Sequence, residues 1–416
     1  MRGHRYALRT RPGDFVVEEM LDVEPGEKGP FAIYKLKKTG LDTTAALRII
    51  SSRTNVPFKA IGCAGLKDRH GESVQYVSVN RKWGEKLDFS DRSLSLELAG
   101  YSDREIRPGS HAGNRFEITL RRMNKQTLDV LVRNAELARG LPLPNYFDSQ
   151  RFGSLRGAPR SAGSPAEGAG TPAVAAPAFD IVEVLKGNHE KALKSILTGT
   201  YRKEQSGFKA LKRALSEYWG NWPKCIELSA GARYENYPEI FGFLNGKGDF
   251  TEALGLVRDQ RLRLGVLALQ SWLWNEAVKA RMLKAMGMGG LTAARYEAGE
   301  LLFPRLGGMA LREYRVFAEG LTGRKLAMPH PGMIDRGEYE RFLDGMGLEL
   351  RQLDGLRELG VSASKEERPV FLTVPDLEIS ASGEETGPAQ RRFWATLRFS
   401  LPAGAYATVV VKALLG

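Results

Sequence analysis

RRFWATLRFS, Arg391–Ser400, is the stretch on which the fold turns. Its aromatic, β-branched and apolar side chains read as a strand. It runs on into Leu401–Thr408, LPAGAYAT, and then the apolar stretch Val409–Leu415. Shorter strand candidates precede it at Val370–Val374 and Ile379–Ser382, so the end of the chain is expected to be strand-rich.

The beginning has the same character. Pro12-Gly13 marks a turn, and Phe15–Glu19 follows it as a strand. Phe31–Lys37 alternates Phe31, Ile33 and Lys35 against Ala32, Tyr34 and Leu36, the period of a strand. Lys38–Thr44 leads into a helix over Ala45–Ser52, with Asp42 or Thr43 as its N-cap. Ser73–Val79, Leu94–Leu98 and Arg115–Arg121 are further strands, and Lys125–Arg139 is a helix ended by Gly140. Arg104–Asn114 between two of these strands is a basic loop.

The middle differs. Gly157–Ala178 is dominated by Ala, Gly and Pro and can bury little, so it reads as a flexible connection. Helical patterns follow at His189–Leu197, behind an Asn188 cap, at Phe208–Tyr218, and over the long run Arg258–Met286. There Leu262, Val266, Leu269, Leu273 and Trp274 point inward. Arg341–Leu350 and Leu353–Leu359 are shorter candidates. Strands, then helices, then strands imply an α+β fold: a mixed, largely antiparallel sheet interrupted by a mainly helical insertion. The expected divisions are 1–155, 156–365 and 366–416.

The 416 residues are enough for more than one core, and 42% hydrophobic with 26% charged residues is ordinary globular composition. A net charge of +12 favours a polyanionic partner, nucleic acid above all. The two cysteines, Cys63 and Cys225, form no C-x-x-C, and the five histidines show no close pairing, so neither a disulfide framework nor a metal site is expected. Met1–Leu8 lacks the apolar core of a signal peptide, and no run of about 18 apolar residues occurs. A cytoplasmic protein without a membrane span is the expectation. Gly242–Gly248 is one residue short of a phosphate loop and has glycine where Ser or Thr would hold magnesium.

Two stretches carry candidate chemistry. Cys63–Gln75, CAGLKDRHGESVQ, sets Asp68 between Lys67 and Arg69 on a Gly-flanked turn. An acid so placed can project into a cleft, and flanking cations favour its negative form. Leu141–Gly153, LPLPNYFDSQRFG, mixes aromatics with Asn145, Gln150 and Arg151. Flat rings, amides and guanidinium groups are what unstacked bases are bound with. A solvated turn in the first case, and core-plugging aromatics in the second, are the plain structural alternatives.

These blocks line up with a known family. The chain resembles the TruD family of tRNA pseudouridine synthases, which act on uridine 13 of tRNA. The matching blocks are PGDFVVEE (12–19), KTGLDT (38–43), AGLKDRHGESVQ (64–75), GNRF (113–116), PNYFDSQRFG (144–153) and FSLPAGAYAT (399–408). They occur in the family's order and span nearly the whole chain. The resemblance implies that Asp68 is the catalytic aspartate. It implies that Arg9, where many members have Lys, pairs with it, and that Phe147, with Asn145 beside it, meets the target base. Phe15, Glu19 and Lys67 would line the same cleft, and Gln150 and Arg151 belong to the same RNA-contacting block. It also implies the pseudouridine synthase sheet with a family-specific inserted domain, tRNA as partner, and no cofactor or metal. Asp42 departs from a common Asn, Asp148 from a frequent Gly, and the tract 157–178 from a more structured segment. A non-catalytic RNA-binding or chaperone protein, and a synthase acting on another RNA, are the competing readings.

Overall fold

A computed structural model describes residues 6–22, 24–69, 71–84, 87–153, 177–200, 204–232, 236–257, 259–334, 336–385 and 391–416. The Ala/Gly/Pro tract falls outside them up to residue 176, as does His70. The described residues form two compact units. One comprises Met1–Leu143, Arg305–Glu319 and Leu372–Gly416; the other comprises Pro144–Pro304 and Gly320–Phe371.

The first unit is built on one sheet. Its early strands are β1 (Phe15–Leu21), β2 (Phe31–Thr39), β3 (Ile61–Cys63), β4 (Glu72–Asn80), β5 (Phe89–Ser90), β6 (Leu94–Ser102) and β7 (His111–Met123). The two late strands join the same sheet, Arg392–Pro402 beside β7 and Glu378–Glu385 outside it at the edge. From there the order runs β7-β1-β4-β2-β6-β5, with β3 on β4. β1 pairs with β4 in parallel, and the other pairings are antiparallel. The expected class, a mixed and largely antiparallel α+β fold, holds. The end of the chain completes the sheet begun by its start, paired from Phe393 opposite Met123 to Pro402 opposite Gly113 with one register shift between Phe393 and Ala395. A buried pair of hydroxyls, Thr119 and Thr396 at 2.8 Å, lies along this seam.

Alternation decides which face is buried. Ala32, Tyr34 and Leu36 of β2, with Val77 and Val79 of β4, pack against Ala46, Leu47 and Ile50 of helix α1 (Thr43–Thr54). Asp42 caps α1, its carboxylate accepting from the Ala45 N–H at 2.8 Å. Asn55 ends it in the left-handed region, φ 58°, which Asn tolerates. Helix α2 (Lys125–Ala138) is capped by Asn124 through the Thr127 N–H at 2.7 Å.

Some expectations are corrected. The C-terminal apolar stretch Val409–Leu415, given no element from the sequence, lies in a helix, Ala407–Leu415, within an end of the chain expected to be strand-rich. It packs on α2, and the Asn134 amide donates to the Leu414 carbonyl at 2.7 Å; burial outweighs the β preference of three successive valines. β7 starts at His111, so the basic loop is shorter than read. Asn188 precedes a helix as expected, but its side chain does not cap it; its amide donates to Glu183 at 2.8 Å.

The second unit is mainly helical. Its longest helix, Asp259–Met286, buries Leu262, Val266, Leu269, Leu273 and Trp274 as the periodicity implies. A hairpin, Leu291–Tyr296 with Gly299–Pro304, was not anticipated. The short candidates near the end resolve as a helix over Gly337–Gly345 and two 3-10 turns, Leu350–Asp354 and Arg357–Leu359. Among the described residues, no helix is long and apolar enough to cross a membrane.

Candidate active site

The loop between β3 and β4 carries Asp68, and its backbone is held from several sides. The Gly109 N–H donates to the Ala64 carbonyl at 2.8 Å. Because Asp42 caps α1, the hydroxyl of Thr43 is available to the loop. It accepts from the Lys67 N–H at 2.8 Å and donates to Gln75 Oε1 at 2.8 Å. The Thr43 N–H donates to the Lys67 carbonyl at 3.2 Å. The loop closes at Gly71, φ +132°, where a Cβ would stand 2.5 Å from the Phe15 carbonyl oxygen. Only glycine fits that approach. Asp68 is exposed on this anchored frame, as is Arg69.

The two cations flanking Asp68 are not equivalent. The Lys67 ammonium turns to the sheet, 3.1 Å from Glu19 Oε2 and 2.7 Å from Asn114 Oδ1. Glu19 is 1% exposed, and its other oxygen accepts from the Tyr76 N–H at 3.4 Å. The carboxylate and ammonium therefore neutralise each other at the floor of the loop. Burial, then the charge on Glu19, push the Cys63 thiol above its ordinary range, with Lys67 opposing. A thiol so placed stays protonated at neutral pH and is no competitor for a nucleophilic role.

Arg9 and Phe15 form a second group in the same unit. The Arg9 guanidinium carbon sits 4.3 Å over the Phe15 ring, a cation–π geometry. Arg9 has φ 57°, a left-handed conformation uncommon for a non-glycine residue. Phe15 is buried edge-on to Phe116 at 6.2 Å. Just before it, Asp14 accepts from Arg121 Nε at 2.7 Å, and Arg121 also reaches Glu385 at 2.7 Å. That bridge fixes the start of β1.

Asn145, Phe147, Gln150 and Arg151 belong to the second unit. Asn145 is buried; its Oδ1 accepts from Arg368 Nη2 at 2.7 Å, and its amide donates to the Pro369 carbonyl at 3.1 Å. Phe147 is also buried, with the Arg368 guanidinium carbon 4.2 Å and the Arg151 carbon 5.2 Å from its ring centroid. Trp274 meets it edge-on at 5.6 Å. Its backbone is bonded twice to the Asn275 amide, both at 2.9 Å. Gln150 is exposed.

Sequence reasoning missed Lys38, Thr43, Gln75, Asn114 and Arg368 as parts of these arrangements. For Lys38 a signal existed, since it continues the inward parity of Ala32, Tyr34 and Leu36. Arg368 lies far from Asn145 in the chain and gave none. Among the described residues there is no cluster of His, Cys, Asp or Glu able to hold a metal ion.

The architecture has a solved counterpart. A crystal structure titled as a putative tRNA pseudouridine synthase D from Methanosarcina mazei matches 99% of this chain and 94% of that one, with a TM-score of 0.67 at 22% identity. That likeness shows that the two chains share a fold. A model of the family "tRNA pseudouridine synthase D (TruD)" matches residues 1–165 and 181–305. "Probable tRNA pseudouridine synthase D 2" of Methanocaldococcus jannaschii is 32% identical over 416 residues, covering 98% of this chain and 92% of that protein. "tRNA pseudouridine synthase D" of Leptospira interrogans is 27% identical over 99% of this chain and 96% of its own length. The chain belongs to the tRNA pseudouridine synthase D family, a family of isomerases.

Proposed function

We propose that this enzyme converts uridine 13 of tRNA to pseudouridine, with the Asp68 carboxylate acting on an extruded uridine. The reaction breaks the C1′–N1 bond, turns the base and forms C1′–C5; C5 then gives up its proton and N1 gains one. Atoms and electrons balance without an external reactant, so the proposal includes no cofactor and no metal. An ionised carboxylate can attack C6 or C1′, or serve as a base. The observation that carries the reading is the contrast at Asp68: an exposed side chain on a loop whose backbone is bonded at Ala64 and Lys67 and closed by a glycine. A reacting group on a preorganised frame needs little rearrangement to reach attack geometry.

The other roles follow from the same reading. Glu19 and Lys67 support the loop from below, and Arg9 with Phe15 flanks it. The first unit is then the catalytic domain and the second the family-specific insertion. Asn145, Phe147, Gln150 and Arg151 contribute to RNA binding, the substrate is tRNA, and the enzyme works in the cytoplasm. Extruding the target base costs a few kcal/mol, and an aromatic stack returns roughly 1–3 kcal/mol. For Phe147 to provide that stack, the Arg368 guanidinium over its ring must move aside or share the face with the base.

The test uses the wild-type protein and unmodified tRNA, without added metal or nucleotide, followed by site mapping of pseudouridine. Product at position 13 is expected. Binding without product would favour a non-catalytic RNA-binding protein, and product only in other RNAs would overturn the substrate.

A further inference from the structure

β2 ends on a residue that its own register makes anomalous. Ala32, Tyr34 and Leu36 point into the core under α1, and Lys38, two positions on, keeps the same parity at 1% exposure. A lysine there gives up its hydration, which is costly unless acceptors replace the water. Three do. The ammonium donates to the carbonyls of Leu41 at 2.7 Å, Lys67 at 3.2 Å and Asp68 at 3.2 Å. An ammonium has three N–H donors and no acceptor, so the count matches. Two of the carbonyls belong to the loop that presents Asp68, and one is that of Asp68 itself. The third lies in the turn between β2 and α1.

We propose that Lys38 is a positioning residue for the reaction, its ammonium tying the peptide of Asp68 to the end of β2 and thereby setting where the Asp68 carboxylate points. The inference rests on the reading of Asp68 as the reacting group. Lys38 touches no substrate atom; it acts through the backbone of the loop. Thr43 restrains Lys67 from α1 and Gly71 restrains the loop's exit, but the contact to the Asp68 carbonyl is made by Lys38.

The charged groups acting on Lys38 are Asp42, from the turn into α1, and Asp68 and Lys67, from the loop. Burial pulls its pKa down to about 8; Asp42 and Asp68 oppose that shift and Lys67 adds to it. A neutral amine keeps two donors for three carbonyls. Deprotonation therefore removes one tie and the charge assistance of the others, so the clamp weakens in mildly alkaline solution.

The test is single-turnover pseudouridine formation by the full-length protein on unmodified tRNA, from about pH 7 to about pH 9.5. Wild type, Lys38→Met, Lys38→Arg and Asp68→Asn are compared, with tRNA Kd and thermal melting measured alongside. The wild-type rate is expected to fall along an alkaline limb near pH 8. Lys38→Met is expected to be slower by roughly 10-fold or more at neutral pH, as misplacement of a reacting group is. Its tRNA Kd should stay within about threefold, and its alkaline limb should be absent, a change that simple loss of packing does not produce. Lys38→Arg, which keeps the charge, should move the limb out of the range measured. A folded Lys38→Met enzyme that retains the wild-type rate at neutral pH overturns the proposal, whatever the shape of the wild-type pH profile. Product formation by Asp68→Asn would instead refute the underlying role of Asp68, so the two failures are distinguishable.

Discussion

Glu19 and Lys67 show how a charged pair can serve a site without entering its chemistry. Glu19 has almost no exposure and Lys67 little, and each is the other's counter-ion. Removing one member leaves a buried charge uncompensated, which typically costs about 3–5 kcal/mol. Lys67→Met, which leaves the fully buried Glu19 carboxylate without its cation, should therefore lose about 3 kcal/mol of stability in urea denaturation, more than Glu19→Ala, which leaves the ammonium its bond to Asn114 Oδ1. Lys38 links stability and activity to pH with opposite signs. Its folded pKa is about 8, below the ordinary 10.5, so the unfolded chain binds more protons between those values. Stability must then rise with pH through that window as far as Lys38 controls it. Activity should fall over the same range. Melting temperatures of wild type and Lys38→Met, compared from about pH 7.5 to about pH 10, test this: the gain with pH should be confined to wild type.

At the scale of elements, the loop depends on β4, α1 and the turn out of β2. Gly71→Ala would set a methyl 2.5 Å from the Phe15 carbonyl on a backbone at φ +132°. The expected loss is about 1–3 kcal/mol, with a large drop in turnover because the Asp68 loop must shift. Thr43→Val keeps the shape but leaves the Lys67 N–H and the Gln75 side chain without their hydroxyl partner. About 1–3 kcal/mol should be lost, measured by denaturation, with tRNA affinity little changed. Strands were legible where alternation was clean, as in Phe31–Lys37, Ser73–Val79 and Arg391–Ser400, because one side of each faces a core. The helix over Ala407–Leu415 was not, since its valines favour strands locally and only its packing on α2 decides otherwise. The hairpin at Leu291–Pro304 follows Met-rich sequence with little alternation and was equally hidden. Asp68 was legible because its cations and glycines are adjacent in the chain. Lys38, Thr43 and Arg368 act through contacts with partners distant in sequence, which no local pattern records.

For the whole molecule, charge and chain order carry the argument. The late strands Glu378–Glu385 and Arg392–Pro402 lie in the sheet begun by β1 and β2, so a helical middle can be inserted without dividing the first unit's core. With a net charge of +12, binding to tRNA should be dominated by phosphate contacts. Raising salt from about 50 to about 200 mM should weaken tRNA binding by roughly 10-fold or more, with a linear log–log slope. Phe147 cautions against reading every variant as catalytic. Its ring is buried against Trp274 in the second unit, so Phe147→Ala should cost about 3 kcal/mol or more of stability. Phe147→Leu, which keeps most of the volume, is the better probe of stacking, and a lower turnover with a native melt is expected from it.

The most direct measurement is single-turnover conversion of unmodified tRNA by Asp68→Asn, with tRNA affinity determined on the same preparation. The substitution is nearly isosteric, and it removes only the negative charge from an exposed side chain on an anchored loop. No pseudouridine at position 13, with affinity within a few-fold of wild type, is the predicted result. Pseudouridine formed there at an appreciable rate would contradict the account.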